Sequence, residues 1–124
     1  MIVHVLRRAE AAGIGPVMVA TDSEAVAAAV QTAGGRAVMT RADHPSGSDR
    51  IFEALQSIDP AGRVRIVVNV QGDLPTLASD DIRQTVALLD DPAVAIATLA
   101  AEIRRDAERT NPNEIGRASC RERV

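Results

Sequence analysis

One apolar run constrains the fold of this chain more than any other feature. Residues 64–70 read Val-Arg-Ile-Val-Val-Asn-Val, and β-branched apolar residues fill five of these seven positions. A run of this length, ended by Gly72 and Pro75, predicts a strand over Val64–Val70 that is buried on both faces, as in a parallel sheet. Ligands of open α/β sheets bind beyond the carboxyl ends of such strands, which is where Gln71 and Asp73 fall.

The sequence allows two roles for Asp73. A carboxylate at the end of a core strand suits a hard cation such as Mg²⁺, which takes oxygen ligands from one or two carboxylates and from substrate phosphates. Aspartate also opens turns and caps helices, and the Gly-Asp-x-Pro context fits that role equally well. This stretch alone leaves both roles open.

The rest of the chain alternates helical and strand patterns. Apolar spacing predicts helices over Met1–Ala12 and Ser23–Ala33, each followed by glycine, and short strands over Val17–Thr21 and Ala37–Thr40. A further strand is predicted over Val94–Ala100. Two more helices are predicted from apolar stripes, which are Ile51, Phe52, Leu55 and Ile58 in the first and Ile82, Val86 and Leu89 in the second. Because the turns are short, we expect a Rossmann-like, doubly wound, mostly parallel α/β sheet.

Composition narrows the functional classes. Phe52 is the only aromatic residue, so the core must be built from aliphatic side chains, which suits helices packed on a parallel sheet. A net charge of −3 and the lack of aromatic stacking surfaces argue against nucleic-acid binding. All fourteen basic residues are arginine, so phosphate chemistry that needs a lysine must obtain it from elsewhere.

Cysteine usage and hydropathy indicate the compartment. The single cysteine, Cys120, cannot form an internal disulfide, which fits a reducing cytoplasm. No apolar run approaches the ~20 residues of a membrane span, and the amino end lacks the basic-then-apolar order of a signal peptide. We therefore expect a cytoplasmic protein without membrane insertion.

A polar loop before the third helix holds the other candidate site residues. Ser46-Gly47-Ser48 lies at a helix N-terminus, where free backbone N–H groups favour an anion or a nucleotide hydroxyl, although such a triplet is more often a simple cap. Arg41 and Arg50 flank the loop, and their planar donor forks suit phosphate or carboxylate. His44 has no neighbour at metal-ligand spacing, so a surface or hydrogen-bonding role is the usual one.

Several motifs occur together and in the order found in one known family. They are Met1-Ile-Val-His-Val5, Val19-Ala-Thr-Asp22, Met39-Thr-Arg-Ala-Asp-His-Pro-Ser-Gly-Ser-Asp-Arg50, Asn69-Val-Gln-Gly-Asp-Leu-Pro75, Ala97-Thr-Leu-Ala100 and Asn111-Pro-Asn113. Through these motifs residues 1–113 resemble the 3-deoxy-manno-octulosonate (KDO) cytidylyltransferases, also called CMP-KDO synthetases. Residues 114–124 match nothing in that pattern, and we expect a disordered or foreign tail there.

The resemblance implies a fold, a reaction and a set of site residues. The fold is an incomplete α/β domain of the nucleotide-diphospho-sugar transferase type. CTP and KDO give CMP-KDO and pyrophosphate for lipopolysaccharide biosynthesis, with Mg²⁺ neutralising phosphate charge, and the complete enzyme is expected to be a homodimer. Asp73 is expected to bind the metal and Gln71 to contact the sugar in the catalytic site. The residues that the resemblance assigns to the nucleotide site are Arg41, His44, Ser46, Gly47 and Arg50.

The chain also departs from the family pattern. Family members place a further strand and a Gly-, Arg- and Lys-bearing phosphate loop before the residue aligned with Met1, and that strand lies between the strands at Val17 and Val64. They continue past Asn113 with a second metal carboxylate and much of the sugar pocket, and many carry Glu where this chain has Leu74. We therefore expect this chain alone to expose strand edges and to show no measurable transferase activity.

Two other hypotheses stay open at this point. The first is an acylneuraminate-type cytidylyltransferase, although the Asn69–Asp73 strand end and the His44–Ser48 loop favour KDO. The second, from a different class, is a non-catalytic α/β binding module. Such a module would show no preference for cytidine over other nucleotides.

Overall fold

The structure is a computed structural model, and it describes residues 1–100 of the 124-residue chain. In chain order its elements are α1 (Ile2–Ala12), β1 (Val19–Thr21), α2 (Glu24–Thr32), β2 (Ala37–Met39), α3 (Gly47–Ile58) and α4 (Ser79–Ala87), followed by a 3₁₀ turn at Leu88–Asp90. The predicted helices and the first two predicted strands are confirmed. The domain boundary predicted at residue 113 and the 114–124 tail lie outside the described residues.

The sheet in residues 1–100 consists of β1 and β2, which pair in parallel through the crossover helix α2. Val19 lies opposite Ala37 and Thr21 lies opposite Met39. The ladder continues at its carboxyl end, where the Thr40 N–H donates to the Thr21 carbonyl at 2.9 Å. This βαβ unit places the carboxyl ends of both strands at the same edge, as the sequence predicts.

Local capping explains where the first two helices begin and end. Gly13 follows α1 in the left-handed conformation, with a φ of 66°, and its N–H donates to the Glu10 carbonyl. Glycine reaches this conformation without the steric cost that a side chain imposes. Ser23 precedes α2, and its hydroxyl oxygen accepts from the Val26 N–H at 3.4 Å.

The core lies around α1. Leu6 and Val30 are almost fully buried, and a Cβ at Gly35 would overlap the Leu6 side chain, so only glycine fits there. A second apolar cluster joins α1 to α4. Its buried members are Ala9, Ala12 and Ile82, and Val17, Val70 and Leu77 pack against them.

Polar bonds also fix α4 against the end of α1. The Ser79 hydroxyl donates to the Arg8 carbonyl at 2.7 Å, and the Arg83 guanidinium donates to the Ala11 carbonyl at 3.1 Å. Carbonyls in the last turn of a helix have no partner inside that helix, so Arg83 satisfies the Ala11 carbonyl, which α1 leaves free, while Ser79 adds a second bond to the Arg8 carbonyl. These bonds hold the chain that follows residues 64–70 next to α1.

The strand predicted over Val64–Val70 is wrong for this structure, because these residues join no ladder within residues 1–100. Apolar side chains along the segment are exposed by between 37% and 48%: Val64, Ile66, Val67 and Val68. A cavity of about 740 Å³ lies between this segment and β1 and is lined by both. Neighbouring strands must approach to about 4.8 Å to pair, so the gap removes the partner that a strand here requires.

The strand predicted over Val94–Ala100 is also wrong for the described structure. Ile96 is 87% exposed and Leu99 is 50% exposed, and the segment pairs with no strand of residues 1–100. Its apolar pattern meets no sheet edge on which to pack. The fold class is α/β with a parallel sheet, as predicted, and the doubly wound sheet is incomplete.

The helices offer no candidate for a membrane span. Within residues 1–100, none of them has both the length and the apolar character to cross a bilayer.

Candidate functional site

The carboxyl ends of β1 and β2 meet the start of α3 at one edge of the sheet. Arg50, in the first turn of α3, joins them: its Nη1 donates to the Thr40 hydroxyl oxygen at 2.9 Å and lies 2.9 Å from the Asp22 carboxylate. Thr40 is buried, and the Arg50 side chain is only 21% exposed. Arg50, which is predicted to face the nucleotide, therefore also ties both strand ends to α3.

The start of α3 has the geometry that the Ser-Gly-Ser triplet predicts. The Ser46 hydroxyl oxygen accepts from the Asp49 N–H at 3.2 Å, and the Ser46 hydroxyl donates to the Asp49 carboxylate. This cap satisfies Asp49 and leaves the N–H groups of Gly47 and Ser48 free of intrahelical partners. Apart from its chain neighbours and the backbone of α3, no atom lies within 4 Å of where a Cβ on Gly47 would stand, so the space beside this residue is open.

A second polar cluster holds the loop that precedes α3. Glu53 on α3 accepts a hydrogen bond from His44 Nε2, and its two carboxylate oxygens lie 3.4 Å and 3.3 Å from the Arg41 backbone nitrogen that donates to them. The Arg41 guanidinium lies 3.8 Å from Glu53 and 3.5 Å from Asp43. The His44 side chain is only 6% exposed, so it is part of the packed structure rather than a free surface ligand.

Electrostatics in this cluster favour a charged Glu53. The hydrogen bond from the His44 ring lowers the pKa of the Glu53 carboxyl from its ordinary value of 4.5. Burial opposes the lowering, while the backbone N–H of Arg41 and the positive charges of His44 and Arg41 add to it. Glu53 therefore stays an acceptor across the neutral range.

Gln71 and Asp73 lie in a turn beyond residues 64–70. Both are exposed, and the Leu74 N–H donates to the Gln71 carbonyl at 3.3 Å. Within residues 1–100, no ion pair or side-chain hydrogen bond engages the Asp73 carboxylate. Its turn position agrees with the structural role left open by the sequence, and its free carboxylate is available for a ligand.

One cavity brings several predicted site residues together. The space between β1 and residues 64–70 extends to the start of α3 and is lined by Gly47, Arg50, Gln71 and Asp73. The rest of its lining is mainly aliphatic. The other predicted residues, Arg41, His44 and Ser46, lie outside this lining and in the loop before α3.

The donor set limits how a metal could bind. Among the described residues, no group of three or more His, Cys, Asp or Glu side chains is arranged to hold a metal ion. Mg²⁺ often binds through one or two protein carboxylates, with waters and substrate phosphates completing its shell. The exposed carboxylate of Asp73 therefore fits Mg²⁺ as one ligand of a site that phosphate, water and further ligands complete.

Sequence reasoning missed Glu53, Asp22 and Thr40. A signal for Glu53 was present, because Ser46, Arg50 and Glu53 follow one another at helical i, i+4, i+7 spacing and so share a face of α3. Asp22 and Thr40 stand in the motifs that carry the family resemblance, but nothing local pairs either of them with Arg50, and the helix cap is Ser23. Their partner Arg50 is distant in the sequence and meets them only in the folded chain.

Comparisons with known proteins found several matches to this chain. A family model described as "Cytidylyltransferase" matches residues 1–122. The 3-deoxy-manno-octulosonate cytidylyltransferases of Nitrobacter hamburgensis and Xanthobacter autotrophicus are 64% and 67% identical to this chain over 115 residues, which cover 93% of the chain and 45% of each relative. The Rhodopseudomonas palustris (strain BisA53) protein of that name is 64% identical over the same length and is covered to 47%. The chain thus spans about half the length of the curated relatives it matches.

A solved structure matches as well. It is described as CMP:2-keto-3-deoxy-manno-octonic acid synthetase complexed with CTP, and it is 42% identical to this chain. The TM-score is 0.67, over 75% of this chain and 38% of the other. The incomplete α/β arrangement of residues 1–100 is therefore a part of a known fold.

Proposed function

This chain belongs to the cytidylyltransferase family, and we propose that it forms the CTP-binding part of an enzyme that converts CTP and KDO to CMP-KDO and pyrophosphate. One observation carries the proposal: Gly47, at the N-terminus of α3, and Asp73, whose carboxylate has no partner within residues 1–100, line the same cavity beside β1. The names of the relatives favour KDO over an acylneuraminate acceptor. Membership of this family argues against a non-catalytic binding module.

The proposed reaction is a nucleotidyl transfer. The anomeric hydroxyl of KDO releases its proton to the solvent and forms a bond to the α-phosphorus of CTP, while the bond from that phosphorus to the oxygen that bridges to the β-phosphorus breaks and pyrophosphate leaves. Negative charge gathers on the phosphate oxygens, so catalysis requires positive groups in fixed positions. Mg²⁺, when bound, supplies positive charge at those oxygens.

Five residues at or beside the cavity have roles in this proposal. Asp73 would hold the Mg²⁺ ion, and the free N–H groups of Gly47 and Ser48 donate to the nucleotide. Gln71, exposed beside Asp73, donates and accepts hydrogen bonds with the sugar. Arg50 supports the site by tying the strand ends to α3, because its charge is already paired with Asp22.

Because of its composition, we expect this chain to bind CTP without catalysing the transfer of CMP. The sequence contains no lysine to place against the triphosphate, and Asp73 is the one carboxylate assigned to the metal. We therefore propose that the 124-residue chain does not transfer CMP by itself. Pyrophosphate release from CTP and KDO by the purified chain measures this, and turnover near that of a complete relative would contradict it.

The same proposal includes the pathway, the oligomeric state and the location of the complete enzyme. A role in lipopolysaccharide biosynthesis and a homodimeric complete enzyme follow from the family resemblance. A cytoplasmic location is supported by the single cysteine, which cannot form a disulfide within the chain.

Calorimetric titration with nucleotides tests the proposal. The chain should bind CTP more tightly in the presence of Mg²⁺ and should prefer CTP to ATP. Asp73→Asn should weaken the Mg²⁺-dependent binding by roughly tenfold or more, because the carboxylate charge is lost. Asp90→Asn, which changes an exposed carboxylate outside the cavity lining, is the matched control and should bind as the unmodified chain does. Equal affinity for CTP and ATP, or an unaffected Asp73→Asn variant, would refute the proposal.

A further inference from the structure

The loop from Thr40 to Ser46 is polar and has no regular secondary structure, yet parts of it are buried. Thr40 is 8% exposed and the His44 side chain is 6% exposed, while Arg41, Ala42 and Asp43 are exposed. A loop of this composition does not bury two polar side chains through the hydrophobic effect. Specific hydrogen bonds must hold it.

Side chains on α3 supply those bonds. Arg50 donates to the Thr40 hydroxyl oxygen at the beginning of the loop, and Ser46 caps the helix at its end. Between these points, Glu53 accepts from the Arg41 backbone N–H and from the His44 ring. Glu53 is therefore the contact that fixes the middle of the loop.

The hydrogen bond to Glu53 also determines which ring nitrogen of His44 carries a proton. A charged carboxylate only accepts hydrogen bonds, so the Nε2 of His44 must carry its proton when it binds Glu53. The orientation of a histidine ring is set by the partner of one nitrogen, which decides what the other nitrogen presents. Glu53 thus orients the His44 ring as well as the backbone at Arg41.

The ion pair between Arg41 and Glu53 contributes little to the ordering of the loop. The Arg41 guanidinium is 3.8 Å from Glu53 and its side chain is 69% exposed. Exposed pairs of this kind add little to stability, because water and salt screen their charges. The hydrogen bonds to the buried ring and to the backbone are the ones that order the loop.

We propose that Glu53 is a positioning residue for nucleotide binding: it holds the 40–46 loop in its bound shape without contacting the nucleotide itself. This inference rests on the proposed function, because it assigns the loop to the CTP site. A loop that is ordered before binding saves the entropy that a mobile loop loses when the ligand arrives. Loss of the Glu53 contacts therefore weakens CTP binding even though no direct contact with CTP is removed.

The test compares Glu53→Gln with Glu10→Gln in the full 124-residue chain. Glu10 is a matched control, because its side chain is 35% exposed against 34% for Glu53, and it also pairs with an arginine, Arg7. Glu53→Gln should weaken CTP binding by about tenfold, which corresponds to one charged hydrogen-bonding contact, while Glu10→Gln should change it by less than about twofold.

Nuclear magnetic resonance separates positioning from general destabilisation. In Glu53→Gln, the Arg41 amide should exchange with solvent at least about tenfold faster and the ¹⁵N shifts of the His44 ring should change. The amides of α2 should stay as in the unmodified chain, since no hydrogen bond or ion pair joins Glu53 to α2 in the described structure. Unchanged signals from Arg41 and His44 would overturn the loop-anchoring role.

The two proposals fail in different ways. If the unmodified chain binds no CTP, the proposed function fails and the nucleotide role of Glu53 fails with it, while the Arg41 and His44 signals still decide the anchoring. If the unmodified chain binds CTP and Glu53→Gln binds it equally well, only the positioning role is overturned. If Glu53→Gln does not fold, acid titration of the unmodified chain replaces it: Arg41 and His44 signals that do not change together as Glu53 is protonated would contradict the proposal.

Discussion

Two segments whose sequences both predict a strand differ in structure in this molecule. Residues 17–21 and 64–70 are both apolar and β-branched, and both are followed by an aspartate close to the site. In the first segment Val19–Thr21 form β1, because β2 lies beside them in register. The second faces a cavity and pairs with nothing in residues 1–100. The difference lies in the neighbours, since a buried strand is stable only when both its hydrogen bonds and its side chains find partners.

The largest expected effect comes from giving the second segment a partner. We predict that adding the strand that the family resemblance places before Met1 pairs residues 64–70 with β1. Burying the four half-exposed aliphatic side chains at Val64, Ile66, Val67 and Val68 should raise the free energy of unfolding by on the order of 4 kcal/mol. Urea unfolding measures the gain, and amide exchange of residues 64–70 locates it. If the amides of residues 64–70 exchange as fast as in the shorter chain, the lack of a neighbouring strand is not the reason that these residues stay unpaired.

Alanine substitutions in the core and in residues 64–70 compare how tightly the two regions are packed. Leu6→Ala should lower the free energy of unfolding by about 3 kcal/mol, because Leu6 is 2% exposed and leaves a cavity behind. Ile66→Ala should cost less than about 1 kcal/mol, because Ile66 is already 48% exposed. Paired denaturation curves compare them, and equal losses would mean that residues 64–70 are packed in solution.

A smaller effect is expected where the strand ends join α3. Arg50→Gln should destabilise the chain by about 1–2 kcal/mol, because the buried Thr40 hydroxyl and the Asp22 carboxylate lose their partner. Arg63→Gln is the control: its side chain is 86% exposed, and its loss should cost less than about 0.5 kcal/mol. Similar denaturation midpoints for the two variants would argue against a structural role for Arg50.

Acid should produce the smallest effect, with a defined sign. The pKa values of Glu53 and Asp80 are lowered, first by hydrogen bonds from His44 and from Gln84, respectively. The stability that each contributes is present above its ordinary pKa, 4.5 for Glu53 and 3.8 for Asp80, and is lost as the pH falls through the lowered value. Glu53→Gln should remove part of this acid-dependent loss and leave the part due to Asp80. An identical pH dependence in the variant would contradict the His44 contact.

Local signals in the sequence predict a large part of the fold. The four helices follow from apolar spacing, and Gly13 and Ser46 mark boundaries that the structure reproduces. The parallel pairing of β1 and β2 follows from short connections around α2. These features depend on neighbouring residues, so a single sequence contains the information they need.

The predictions that failed depend on distant parts of the chain. Residues 64–70 and 94–100 have strand composition, but composition does not supply the neighbour that a strand requires. In the candidate site, the capping role of Ser46 was predictable from its position. The Arg50 bonds to Asp22 and Thr40 were not, because they join elements that meet only after folding. The proposed contacts of Gln71, Asp73 and the loop with substrates remain predictions.

The central claim is that the start of α3 and Asp73 form one CTP site. Titration of ¹⁵N-labelled chain with CTP and Mg²⁺ tests it most directly, because amide shifts report where the nucleotide binds. We predict saturable shifts at Gly47, Ser48 and Asp73 that weaken when Mg²⁺ is removed. Shifts confined to other parts of the chain, or none at these residues at saturating CTP, would contradict the claim.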